Sequence, residues 1–363
     1  MPVAMLALLS VPAPPLPFAT QRTEVVSFTA SDVTCSGQPI TVDSIVQPFT
    51  AVATRYGPAV AESPPPAYRF SFAIDAQGRA RTIRRDTAEP SRSYVDTSDL
   101  APALAASSFP TGMPRARCTV SFKVSVTPIE KAPMPALYEL ASRPDTTGFA
   151  PALFERVLPA GSNCPREPGQ YRRLNLPAFE KLSQPARRPA WVFLAFDVNA
   201  AGKPGNVQTL GTSGNTGLER AGREALLANR YEPGAGFHGC TYHFYYNGSA
   251  NLAAPVPVPD TPLDTGDQPG CVVDPKSIPG LLDGSAYPRA FGRRGIEGAA
   301  VIGYDTAPWG AVGNVKVLGS EPDEAFGDTA RNALSNAKVV ESGSGRRGCV
   351  QRVQFKLPPK RSR

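Results

Sequence analysis

One pattern, spelled three times, constrains this chain more than any other feature. The stretches ARCTVSFKV, HGCTYHFYY and RGCVQRVQF each place a cysteine at the head of a strand-like run, and they end at Val124, Tyr246 and Phe355. The likeness extends upstream. LAFDVNAAGKPGNVQTLG laid on IGYDTAPWGAVGNVKVLG at one constant offset sets Asp197 on Asp305 and Gly205-Asn206-Val207 on Gly313-Asn314-Val315. Further on, Leu218 meets Phe326 and Ala225-Leu226 meets Ala333-Leu334. A weaker copy earlier in the chain sets Ala73-Ile74-Asp75 on Ala195-Phe196-Asp197 and Cys118 on Cys240. Self-similarity of this kind marks a triplicated unit.

The cysteines follow the same division. Each copy holds one early and one late: Cys35 and Cys118, Cys164 and Cys240, Cys271 and Cys349. Their separations of 83, 76 and 78 residues are nearly constant. Six cysteines allow about 15 pairings, and the repetition selects one disulfide inside each copy. The alternative is three reduced, buried pairs in a reducing cell. No C-x-x-C is present, so a zinc ribbon or thioredoxin-type site is unsupported.

The third copy reads most clearly as structure. AAVIGYDT (Ala299–Thr306) and GNVKVLGS (Gly313–Ser320) are β-rich runs joined by a turn holding Pro308 and Gly310. Ser320-Glu321-Pro322-Asp323 then signals a helix start, with Ser320 as its N-cap. Phe326, Ala330, Ala333, Leu334 and Ala337 recur at helical spacing along one face. After Cys349 the chain alternates, with Val353, Phe355 and Leu357 on one side and Arg352, Gln354 and Lys356 on the other. Each unit is therefore expected to be α+β: a three-stranded antiparallel sheet with helices on one face and one disulfide.

At 363 residues the chain has room for such a tandem array. Its 40 prolines and 32 glycines fall in turns and linkers, above all in the Pro-rich run Asn251–Gly270. The opening MPVAMLALLSVPAPPLPFA has the apolar run and small residues of a secretory signal, and no later run reaches the ~18 apolar residues of a spanning helix. The expected organisation is a signal peptide at 1–19, units at 20–127 and 136–250, a linker at 251–270 and a unit at 271–358. The net charge of +7 comes from scattered Lys and Arg, with pairs such as that in GRRG. That is read as a solvated surface rather than a nucleic-acid stripe.

Residues that could carry catalysis are few. His238 and His243, the two histidines of the chain, stand five apart on one strand and so point to opposite faces, wrong for a shared metal. Asp75, Asp197 and Asp305 recur at the end of each first strand and are read as caps on the hairpin that follows. GTSGNTG (Gly211–Gly217) precedes a helix but lacks the lysine of a P-loop, and Thr216-x-x-Glu219 within it reads as a capping box. No catalytic set, cofactor site or metal site is expected.

Tyr287-Pro288, then Gly295 and Gly298, the turn glycine Gly310, the strand Val315-Lys316-Val317-Leu318-Gly319-Ser320 and the helix from Phe326 to Ala333 come in one order. In that order they resemble the C-terminal domain of TonB, a periplasmic energy transducer, across Tyr287 to Leu357. The second copy is similar in its turn, strand and helix, with Phe179-Glu180 where Tyr-Pro would stand. The first keeps strand, helix and last strand. Transducers of that family also carry a membrane helix and a Pro/Lys/Glu-rich rod, and neither is read here. The resemblance implies a periplasmic protein of a Gram-negative bacterium, associated with TonB-dependent transport. It also implies that the last strand accepts an extended peptide from an envelope protein such as an outer-membrane receptor. The acceptor residues would be Val350, Arg352, Val353, Gln354, Phe355 and Lys356. Arg352 and Lys356 are equally explained as charges that keep an edge from aggregating. A second reading is a disulfide-stabilised scaffold of the envelope that binds no peptide and buries its last strands between units.

Overall fold

The computed structural model describes residues 21–56, 67–86, 95–144, 151–165, 171–182, 189–248, 251–257, 271–278, 281 and 284–358. The signal-like leader and most of the Pro-rich run lie outside them. The first segment contains β1 (Gln21–Ala30), β2 (Thr34–Cys35), β3 (Gln38–Pro39), β4 (Ala51–Tyr56), β5 (Tyr68–Ile74), β6 (Ala80–Arg85), α1 (Leu100–Ala106) and β7 (Arg115–Pro128). The second contains α2 (Met134–Ser142), α3 (Pro151–Val157), β8 (Tyr171–Arg173), β9 (Ala190–Val198), β10 (Pro204–Thr212), α4 (Thr216–Ala228), β11 (Arg230–Tyr231) and β12 (Phe237–Tyr246). The third contains α5 (Arg289–Arg293), β13 (Gly298–Thr306), β14 (Val312–Glu321), α6 (Glu324–Ser335) and β15 (Arg346–Phe355).

Two sheets have the expected size and order. The hairpin β9–β10 takes β12 on its other side, and β13–β14 takes β15 in the same way, all antiparallel. Both hairpins slip register near an asparagine of positive φ, Asn206 at 50° and Asn314 at 51°. Asparagine tolerates that left-handed region better than most side chains. The two helices that follow bury matching faces, Leu218, Ala225 and Leu226 on α4 against Phe326, Ala330 and Leu334 on α6.

Three expectations are corrected. The first sheet has seven strands, not three, because β7 is long enough to be paired along both edges. It takes β5 on one side and both β1 and β2 on the other, and β4 extends the sheet beyond β1. The second sheet is covered on both faces rather than one. The near-continuous apolar run of β9 sends Val192, Leu194 and Phe196 toward α4, while Phe193 packs with Leu137 and Leu140 of α2. The helix caps also differ. Asn215, not Thr216, caps α4 by accepting from Leu218 N–H, and Asp323, not Ser320, caps α6 by accepting from Ala325 N–H. Ser320 Oγ instead donates to the Asp323 carbonyl and accepts from Gly327 N–H, one turn into the helix.

The first and third segments share one core. Phe291, Ile302, Phe326 and Leu334 belong to the same buried cluster as Phe70, Phe72, Leu100 and Phe122. Polar contacts lock that junction. Ile83 N–H donates to the Pro322 carbonyl at 2.8 Å. Arg81 reaches Glu321 through Nε at 2.9 Å and Nη2 at 2.7 Å, and Thr82 N–H donates to the same carboxylate. Beside it, burial pushes the Asp323 carboxyl up to about 7. The folded chain therefore holds a proton that an unfolded aspartate releases near pH 4. The stability this gives is complete at low pH and is lost as pH rises through 7. Between pH 5 and 8 the expected loss is about 2–3 kcal/mol. Asp323→Asn keeps the cap acceptor and should flatten that decline. Urea unfolding of both proteins at the two pH values checks it, and an identical decline in the variant would refute the assignment.

Candidate functional site

The last strand of the third sheet is the feature to which sequence and structure both lead. β15 pairs with β13 from Gly298↔Phe355 to Tyr304↔Cys349 and on to Thr306↔Arg346. Among the described residues no strand pairs its other side. The same holds for β12, whose only strand partner is β9, whereas the corresponding strand β7 of the first sheet is paired along both edges.

The six residues marked from sequence divide by face. Phe355 is buried, its ring 5.2 Å from that of Phe326 and 6.1 Å from that of Tyr287. Val353 is half-buried beside the same core. Arg352, Gln354 and Lys356 are exposed, and Val350 is half-buried. An added chain would thus meet the backbone of β15 and, on one face only, its polar side chains. Below that face, Asn251 Nδ2 donates to the Pro358 carbonyl, and Leu252 exchanges backbone hydrogen bonds with Gly295 and Glu297. The segment from Ala253 to Pro257 and β15 enclose a cleft of about 240 Å³.

The motif residues of the third segment have local reasons. Tyr287 Oη donates to the Ile296 carbonyl at 2.6 Å, and its ring meets Phe326 edge-on at 5.9 Å. Gly295 has φ of 68°. A Cβ on Gly298 would lie 2.1 Å from Phe326 Cδ1, so the helix can seat its phenylalanine only against glycine. In the second segment Phe179 takes the corresponding place, stacked on Tyr246 at the end of β12 with ring centres 5.5 Å apart.

The recurring aspartates act as clamps, a correction to their reading as simple turn caps. Asp197 Oδ2 accepts from Asn206 Nδ2 at 2.8 Å and its Oδ1 from Gly239 N–H at 2.9 Å. Asp305 repeats this with Asn314 at 2.7 Å and Gly348 at 2.9 Å. Each ties the hairpin to the residue just before the late cysteine. Those donors hold both carboxyls below the usual aspartate range. Asp75 alone caps its turn, through Gln77 and Arg79 N–H. The disulfides join Cys35 to Cys118, Cys164 to Cys240 and Cys271 to Cys349, so each clamp stands beside a bridge.

The histidines are dispersed. His238 is exposed, with Nδ1 3.8 Å from Asp197. His243 stacks on Phe193, and burial pulls its pKa down. Sequence reading missed Arg294, taken there for surface. It is 2% exposed and pairs with Asp99 across the junction of the first and third segments. Its neighbour Arg293, on the same motif, donates to Ser98.

Residues 283–357 match the family described as Gram-negative bacterial TonB protein C-terminal, which places this segment in that family. The match does not extend into the two upstream segments. No curated protein matches the chain.

Proposed function

We propose that the chain is a periplasmic TonB-like protein of three related units, at 20–127, 136–250 and 271–358, that binds extended segments of envelope proteins by strand addition at β15. The observation that carries this is the outer edge of β15, unpaired among the described residues, within the segment that matches the family. Support also comes from the first sheet, where β1 lies antiparallel along β7 from Glu24↔Pro128 to Ala30↔Phe122. There the chain supplies its own strand to the edge that corresponds to the open one of β15, so that edge of β7 is already occupied. Among the described residues β12 has a second unpaired edge.

Two adjacent proline variants test the proposal. Along a strand successive N–H groups point to opposite sides. Of Gln351→Pro and Arg352→Pro, one therefore breaks a bond to β13 and the other removes only an outward donor. The first should lose about 1–3 kcal/mol of stability. The second should unfold like the parent yet fail to retain receptor-derived peptides in a pull-down under oxidising conditions. Equal retention by that stable variant would sink strand addition at β15.

A second reading has one observation in its favour. The first and third segments are fused through one core and the Arg81–Glu321 pair, as a disulfide-stabilised envelope scaffold would require. It predicts no peptide retention by any form of the chain.

A further inference from the structure

A cavity of about 930 Å³ lies away from the β15 edge, where all three segments meet. Its volume is in the range of sites for small organic ligands. One side is built from the loop before β4, from α2 and from Arg294. Here Phe49 lies beneath two guanidinium groups, Arg294 at 3.9 Å and Arg143 at 4.5 Å from its ring centre. Arg143 also donates to the Thr50 carbonyl, and Thr50 Oγ1 donates to Glu139 at 3.1 Å. Arg294 is neutralised by Asp99. The second segment supplies Trp191, half-buried, together with Lys181 and Arg220. Among the described residues no carboxylate pairs with either of those two cations.

The chemistry of the lining is therefore uneven. Aromatic rings line it from both sides, Phe49 from one and Trp191 from the other. Cations exceed carboxylates: four line the cavity, Arg143, Lys181, Arg220 and Arg294, against Glu139 alone. Two of the four keep their charge uncompensated. A flat apolar body would find ring and guanidinium faces, which attract each other and stack well. A carboxylate on it would find Lys181 and Arg220, and Arg220 can meet it with two parallel donors. From these placements we propose that this cavity is a binding site for small aromatic carboxylates, formed only when the three segments are docked together.

Isothermal titration calorimetry of the full, oxidised chain with 2-naphthoate tests the assignment. Saturable binding at one site below about 1 mM is expected. The neutral amide, 2-naphthamide, should bind at least about tenfold more weakly, as should naphthoate to the Lys181→Glu, Arg220→Glu double variant. Both substituted side chains are exposed, so near-UV circular dichroism should match the parent. The milder Lys181→Gln, Arg220→Gln pair should weaken binding in the same direction. Arg331→Glu, an exposed reversal on α6 outside the cavity, should leave affinity unchanged. The proposal fails if naphthoate gives no saturable heat, if the amide binds equally well, or if Arg331→Glu weakens binding as much as the cavity reversals do.

Discussion

Replacing Arg294 with alanine is expected to cost about 3–5 kcal/mol. The guanidinium donates through Nε to Asp99 Oδ1 at 2.8 Å and through Nη2 to the other carboxylate oxygen and to the Gln47 carbonyl at 3.1 Å. Asp99 is itself only 7% exposed. Among the described residues its carboxylate has one other donor, Phe49 N–H at 2.7 Å. Removing the arginine leaves a buried carboxylate with half its partners, and the cost arises from that orphaned charge rather than from the bond as such. The sign of a second variant separates the two accounts. Arg294→Met combined with Asp99→Asn removes both charges and should recover most of the loss, because a buried ion pair is close to neutral against uncharged replacements of similar size. Urea unfolding of the parent, the single and the double variant measures it. A single variant within about 1 kcal/mol of the parent would show that Asp99 is not buried as described.

The same residue shows where sequence reading stopped. In GRRG, Arg293 and Arg294 are indistinguishable by local pattern, and nothing nearby in the chain says that Asp99 waits for one of them. That pair is a long-range fact, created when the first and third segments merge their cores. The strand β1 was hidden for the same reason. QRTEVVSFTA carries the β-branched and aromatic residues of a strand, but which edge it joins depends on β7, about a hundred residues on. Local features were more legible. The hairpin, helix and last strand of the third copy stand where their periodicities put them, and the face of α6 headed by Phe326 is the buried one. The cap of α6 was missed by three residues because Ser320 and Asp323 are both good cap residues with a proline between them. Only the bend of the chain decides which oxygen meets the first free N–H groups.

Legibility of the candidate site followed the same division. The alternation of β15 identifies Arg352 and Gln354 as outward and Phe355 as inward without any structure. Whether its edge is open cannot be read from that strand, because β7 carries an even cleaner alternation and is closed on both sides. Openness belongs to what the rest of the chain leaves uncovered. The cavity at the triple junction is further from view, since its cations are scattered over the second and third segments and look like ordinary surface charge in each.

Loss of the Cys35–Cys118 bridge should be the most costly single lesion in the chain. In the chain-entropy account a cross-link is worth more the longer the loop it closes, and loops near this length give about 4–5 kcal/mol. The three bridges span 83, 76 and 78 residues, so loop length alone predicts nearly equal effects. Their surroundings break the tie. Cys35 and Cys118 are 6% and 0% exposed inside the core shared by the first and third segments, whereas Cys164 and Cys271 are only half-buried. Alanine at 35 and 118 therefore removes two packed sulfurs as well as the constraint, which adds a cavity cost absent from one end of each other bridge. It also frees β2, which has just two residue pairs to hold it on β7. Paired Cys→Ala variants of the three bridges, unfolded in urea side by side, should rank with the 35–118 variant lowest. A spread below about 1 kcal/mol would mean that loop entropy acts alone. Equal midpoints for the parent with and without reductant would mean that the bridges do not constrain the chain, and that its fold can be held in a reducing compartment as well as an oxidising one.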